Sequence, residues 1–185
     1  MPKSQRSKAD KRKDRVEELT QAFLDQYDFQ GPNFDGTPER VARMWETFLN
    51  VETPTLTTFP VEGTPGLILI KDHISWGFCP HHLLPVKYTF RIGYIPHHQV
   101  LGLSKLARIA DFVCAQLLIQ EDMPSVIGEM IKMAIDPLAV GVIINGEHQC
   151  MQMRGVKSTC VSASSSYLSG AFLREDSARM EFMTL

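Results

Sequence analysis

Residues 86–95 constrain this chain more than any other stretch. Val86, Tyr88, Phe90, Ile92 and Tyr94 alternate with Lys87, Thr89, Arg91 and Gly93. A strict period of two is the signature of a strand with one buried face and one wet face. Such a strand belongs in an antiparallel sheet covered on one side only. The covering helices are also legible. Ser104 can cap a helix whose inward side is Leu106, Ile109, Ala110, Val113 and Leu117. Pro124 opens another, with Val126, Ile127, Met130 and Met133/Ala134 on its apolar side. Residues 67–75 read as a short β segment, and 139–144 with 148–153 as a second strand pair.

Upstream, Val16, Leu19, Ala22 and Phe23 follow helical spacing from Asp14 onward, and residues 30–36 break the chain. Thr37-Pro38-Glu39 then starts a second helix, with Thr37 as N-cap and Val41, Met44, Trp45, Phe48 and Leu49 as its stripe. Residues 51–66, rich in Pro and Gly (Pro65 among them), read as a surface connection. A Ser/Thr-rich stretch at 158–166 precedes a short helical tail near 178–183. The expectation is an α+β fold in the order ααββααββ, an antiparallel β-sheet with helices packed on one face. Residues 1–13 are expected to form a basic disordered tail, and residues 14–185 a single domain. Within that domain, 14–50 hold the N-terminal helices and 67–185 the core.

The 185 residues carry a formal charge of −2. That balance speaks against generic nucleic-acid or membrane-surface binding. Its asymmetry lies in residues 1–15, where seven Lys/Arg stand against two Asp; a nucleic-acid arm there is the alternative to a solvated tail. No apolar run approaches the ~18 residues needed to span a bilayer. The basic start also lacks the apolar core of a secretory signal, so a cytoplasmic location is expected. Four cysteines do not make a disulfide scaffold for a chain of this size.

Two of those cysteines have interesting neighbours. Cys79-Pro80-His81-His82 and the distant His148-Gln149-Cys150 supply thiols and imidazoles, the donors zinc prefers. In a turn, Cys79 and His82 at i and i+3 can face one metal while His81 points elsewhere, free to handle protons. On a strand, His148 and Cys150 at i and i+2 share a face, which puts His148 close to any metal at Cys150. The spacing alone equally allows a buried cysteine beside ordinary surface histidines. His97 and His98 read as turn residues after Pro96, Cys114 as a core thiol, and Cys160 as a small buried residue in preference to a ligand.

A second constellation is basic. Arg40 and Arg43 lie one helical turn apart; Ser104, Lys105 and Arg108 sit at a helix start; Arg154 follows the second cysteine site. Each alone is an ordinary surface charge. Together they suit a triphosphate, which guanidinium groups and a helix N-terminus both accommodate, although no phosphate-cradling glycine loop is present. Gln120-Glu121, between the two central helices, reads either as a helix-start acid or as a carboxylate accepting two N–H bonds from guanine.

These pieces resemble the GTP cyclohydrolase I family along nearly the whole chain from Val16. The matching segments are TPERVARMW (37–45), CPHH (79–82), YIP (94–96), GLSKLARI (102–109), QE (120–121), HQC (148–150), MRG (153–155), SGAF (169–172) and REDSARMEF (174–182). The resemblance implies a tunnelling fold and a toroidal homodecamer with sites at subunit interfaces. It implies hydrolysis of GTP to 7,8-dihydroneopterin triphosphate and formate, serving folate, pterin or 7-deazaguanine synthesis. Zn2+ would be held at the positions of Cys79, His82 and Cys150. His81 and His148 match catalytic histidines, and Ser104 a residue near the ribose. Arg40, Lys105, Arg108 and Arg154 match triphosphate positions. Arg43, also expected to bind substrate, falls where the family often has Lys, and Gln120 and Glu121 match guanine-recognition positions. One departure stands out: the family pattern is C-E-H-H, and here Pro80 replaces the acid. A zinc-containing binding module without turnover is the competing reading, and the retained histidine pair speaks against it.

Overall fold

The computed structural model describes residues 7–64, 66–159 and 161–185. The readings made for residues 1–6, Pro65 and Cys160 lie outside the described residues. The chain divides into two compact units, Met1–Val51 and Glu52–Leu185.

The first unit is a pair of helices, α1 (Lys8–Gln26) and α2 (Thr37–Leu49). Helix α1 begins six residues earlier than the apolar spacing suggested. Ser7 and Asp10 form a reciprocal capping box, and Arg15 pairs with Glu18 at 2.7 Å. A capped, salt-bridged helix needs no apolar stripe in its first turns. The N-cap of α2 is Gly36 and not Thr37, which is already helical. Between the helices Tyr27, Phe29 and Phe34 stack in sequence.

The second unit carries the sheet. Strands β2 (Ile68–Phe78), β3 (Pro85–Ile95), β5 (Ala139–His148) and β6 (Ala163–Gly170) form one antiparallel sheet in that order. The alternation read from residues 86–95 is realised on β3, where Val86, Tyr88, Phe90, Ile92 and Tyr94 are all buried. Helices α3 (Leu103–Cys114) and α4 (Met123–Ile135) cover that face with Leu106, Ile109, Val113, Ile127 and Ile131. The mixed α+β class and the antiparallel sheet are as expected.

Several local expectations are corrected. Thr58–Pro60, inside the supposed connection, is a short strand (β1) that pairs with β4 (Gln99–Leu101). The N-cap of α3 is Gly102, two residues before Ser104. The segment 148–153 is not a strand: β5 runs unbroken to His148, and α5 (Gln149–Gln152) comes next. β5 pairs with β3 on one side and, on the other, with β6, the Ser-rich segment. Ser165 donates to the Gln120 backbone carbonyl and Ser164 to the Asn145 side chain, so polar residues there fasten neighbouring segments. Helices α6 (Ala171–Arg174) and α7 (Asp176–Thr184) close the chain, with Phe172 and Phe182 stacked and buried beside Ala139. Arg91, on the wet side of β3, donates to the Phe182 carbonyl at 2.9 Å.

Candidate active site

Sheet register brings the two cysteine segments together. β3 and β5 are antiparallel, and Val86 at the start of β3 pairs with His148 at the end of β5. The turn that precedes β3 therefore lies beside the segment that leaves β5. That turn is Cys79–Leu84, closed by Cys79 N–H to the Leu84 carbonyl at 2.9 Å and Leu83 N–H to the Cys79 carbonyl at 2.8 Å. The segment leaving β5 is the single helical turn α5, which carries Cys150.

One ligand atom each of Cys79, His148 and Cys150 lies within 4.8 Å of the other two. Cys79 is buried, while His148 and Cys150 are half-buried. The donor set fits a soft or borderline divalent ion: two thiols and an imidazole, converging from two walls. Burial pushes the Cys150 thiol up, and the neighbouring Cys79 adds to it, while Arg154 pulls it down. A dication would relieve the crowding of two thiolates.

The histidine pair of the turn does not divide as the spacing argument expected. His82 Nδ1 is 3.7 Å from Cys79 Sγ, but His81 Nδ1 is 3.8 Å from the same sulfur. Both rings are exposed. Pro80 sits between them and the cysteine, and the turn closes without its missing N–H, since the closing donors are those of Cys79, His82 and Leu83.

A cavity of about 290 Å3 opens over this group. Its wall brings together Cys79, His81, His82, Gln120, Glu121, His148 and Cys150. Glu121 is exposed in the turn before α4, and Gln120 is buried beside it. His148 is held below the ordinary imidazole pKa by burial, against the opposing pull of Glu121. Its ring meets the Tyr88 ring edge-on at 6.0 Å. Ser104, Lys105, Arg108 and Arg154 do not line the cavity; all but the half-buried Lys105 are exposed. Arg40 is engaged within its own unit, donating to the Asp35 carbonyl and the Thr37 hydroxyl, and Arg43 is exposed. Cys114 is buried in the core, its thiol pushed up to about 12 by burial.

Sequence matching decides the family. The profile of GTP cyclohydrolase I matches residues 13–185. The chain belongs to this family. The GTP cyclohydrolase 1 of Aquifex aeolicus is 36% identical over 177 residues, 94% of this chain and 96% of the relative. That of Caldanaerobacter subterraneus is 38% identical over 181 residues, 95% of each. That of Thermoanaerobacter pseudethanolicus is 39% identical over 154 residues, covering 80% and 82%. Among solved structures, an archaeosine synthase QueF-Like in the apo form aligns at TM-score 0.49 and 19% identity, over 58% of this chain and 97% of that one. The α+β sheet architecture agrees with the tunnelling fold of the GTP cyclohydrolase I family.

Two residues of the site escaped the sequence reading. Ser165 fastens the Gln120 backbone, and Gly146 lies directly under the Gln120 carboxamide. A glycine within strand β5 was the available signal, because it marks close approach of another group.

Proposed function

We propose that this protein is a cytoplasmic, zinc-dependent hydrolase that converts GTP to 7,8-dihydroneopterin triphosphate and formate, working as a homodecamer. Family membership supports the reaction. The observation that carries the site is the convergence of Cys79, His148 and Cys150 beside a cavity that also holds His81, His82 and Glu121. Cys79, His82 and Cys150 would hold the zinc. Zinc bound there supplies Lewis acidity, which brings the pKa of water to about 7.

The protein's own residues supply the rest. Glu121, the one carboxylate on the cavity wall among the described residues, accepts two N–H bonds from the guanine edge, which adenine cannot offer. His81 donates a proton to N7 of the purine as C8 is hydrated, a contribution of roughly 10²–10⁴-fold for a well-placed acid. His148 carries the proton in the second hydrolysis, which expels formate. Ser104 stands near the ribose. Lys105 and Arg108, on the first turns of α3, and Arg154 meet the triphosphate; for Arg40 and Arg43 the resemblance alone supports that task.

A second reading of the ligand set is favoured by the grouping of His148 with the two thiols: His148 is the nitrogen ligand and His82 lies outside. Zinc content measured beside GTP turnover separates the two. Under the first reading His82→Ala loses zinc, whereas His81→Ala and His148→Ala keep it while losing roughly 10²-fold or more in turnover. Loss of zinc in His148→Ala with retention in His82→Ala establishes the second reading. Absence of a fluorescent pterin after incubation with GTP and oxidation refutes the activity itself.

A further inference from the structure

Gln120 occupies a position where the family resemblance expects a contact to guanine, yet every polar atom of its side chain is already used inside the protein. Its Nε2 donates to the Ala163 carbonyl at 2.7 Å and to the Ile144 carbonyl at 3.4 Å. Its Oε1 lies 2.7 Å from His148 Nε2. The residue is 5% exposed, so water does not compete for these bonds.

The orientation of the carboxamide is fixed by chemistry. Both groups facing Nε2 are carbonyls, which only accept; turning the amide over would set oxygen against oxygen. Oε1 must therefore face His148, and an amide oxygen only accepts. Hence His148 Nε2 carries the hydrogen. In neutral imidazole the other nitrogen, Nδ1, is then the one with a free lone pair.

The backbone is shaped for this contact. A Cβ on Gly146 would stand 2.2 Å from Gln120 Oε1 and 3.1 Å from His148 Nε2. No side chain fits between the strand and the carboxamide. The Gln120 main chain is held as well, by Ser165 Oγ donating to its carbonyl at 3.1 Å. Strand β6 thus anchors Gln120 twice, and Gln120 anchors the ring.

We propose that Gln120 is a positioning residue acting through His148: seated on Gly146 and locked by the Ile144 and Ala163 carbonyls, it holds His148 as the Nε2–H tautomer and keeps Nδ1 free. The inference deepens the functional reading above, in which His148 moves a proton or binds metal; either task needs a lone pair on a defined nitrogen. Partners of this kind, which fix the far nitrogen of a histidine, typically contribute 10–100-fold to metal affinity or activity.

The test is 15N NMR of the full-length protein as purified, labelled in histidine, with the His148 ring assigned by its loss in His148→Gln. The wild type should show an N–H type Nε2, with Nδ1 of lone-pair type if His148 moves a proton and of metal-bound type if it is a ligand. Gln120→Met should lose that bias, and Gly146→Ala, which leaves Gln120 present but displaced, should lose it too. Steady-state kinetics should show kcat for GTP falling about 10–100-fold in both variants, with KM nearly unchanged. A wild-type His148 protonated at Nδ1 overturns the proposal, whether or not either variant folds. An unchanged tautomer in the variants overturns it, and so does a rise in KM at constant kcat, which would return Gln120 to base recognition. A wild type that holds the Nε2–H tautomer but turns over no GTP refutes the activity and leaves the positioning role supported.

Discussion

Gly128→Ala should destabilise this protein, although the same change on an ordinary helix stabilises it. Gly128 is buried within α4, and alanine there gains about 1 kcal/mol of helix propensity. The new Cβ would stand 2.4 Å from Tyr167 Cε1 and 2.5 Å from Cδ1. Carbon atoms prefer roughly 3.5–4.0 Å, so the ring must move by an ångström or more. Overpacking of this kind costs about 1–3 kcal/mol. Moving the ring also breaks the bond from the Tyr167 hydroxyl to Glu129, 2.7 Å long, worth about 1 kcal/mol at an exposed site. The balance is a net loss of about 1–3 kcal/mol. In a Tyr167→Ser background the obstruction is gone and only propensity remains, so the same substitution should stabilise by up to about 1 kcal/mol. Urea unfolding of the four proteins at one fixed protein concentration gives the cycle directly. A stabilising Gly128→Ala in the wild-type background refutes the packing argument. So does a coupling between the two sites below about 0.5 kcal/mol.

Cys114 should make stability fall at alkaline pH. Its thiol titrates near 9 when unfolded and is pushed up to about 12 by burial in the folded protein. The stabilisation is therefore complete below pH 9 and fades as pH rises toward 12, by about 1.4 kcal/mol per unit; Cys114→Ala should flatten that part of the profile, and an identical slope in both proteins would contradict it. Cys79→Ser and Cys150→Ser should each lose bound zinc by elemental analysis, whereas Cys114→Ala should keep it. Full zinc in either serine variant removes that residue from the ligand set. Glu121→Gln should lower kcat/KM for GTP by at least about 2 kcal/mol, because one acceptor becomes a donor facing an N–H. Unchanged kinetics would leave Glu121 as a helix-start acid only.

The sequence by itself determined strand β3 and the presence of the helices α3 and α4. Burial on β3 follows the alternation of Val86, Tyr88, Phe90, Ile92 and Tyr94, with Gly93, read as a wet-face position, the exception that is also buried, because a period of two is a local property that tertiary context here largely completes. The apolar stripe of α3 was legible from its helical spacing, but that of α4 was misphased: Met133 is 80% exposed, and Ile131 and Ile135 are buried in its place. The thiols and imidazoles of Cys79, His81, His82, His148 and Cys150 stood out by residue type, whereas Glu121 beside Asp122 read equally well as a helix-start acid. Tertiary structure alone decided how these residues meet. The alignment of Val86 with His148 is a register, and a register depends on two strands at once. The sequence hid β6 behind a run of serines, because its hydroxyls bond to Asn145 and the Gln120 backbone and do not advertise a buried face. It hid the work of Gln120 as well: the partners of its carboxamide, Ile144, His148 and Ala163, lie on two strands, β5 and β6, distant in sequence from its turn. A hydrogen bond between distant segments has no periodicity, and only the folded chain reveals which nitrogen of His148 it leaves free.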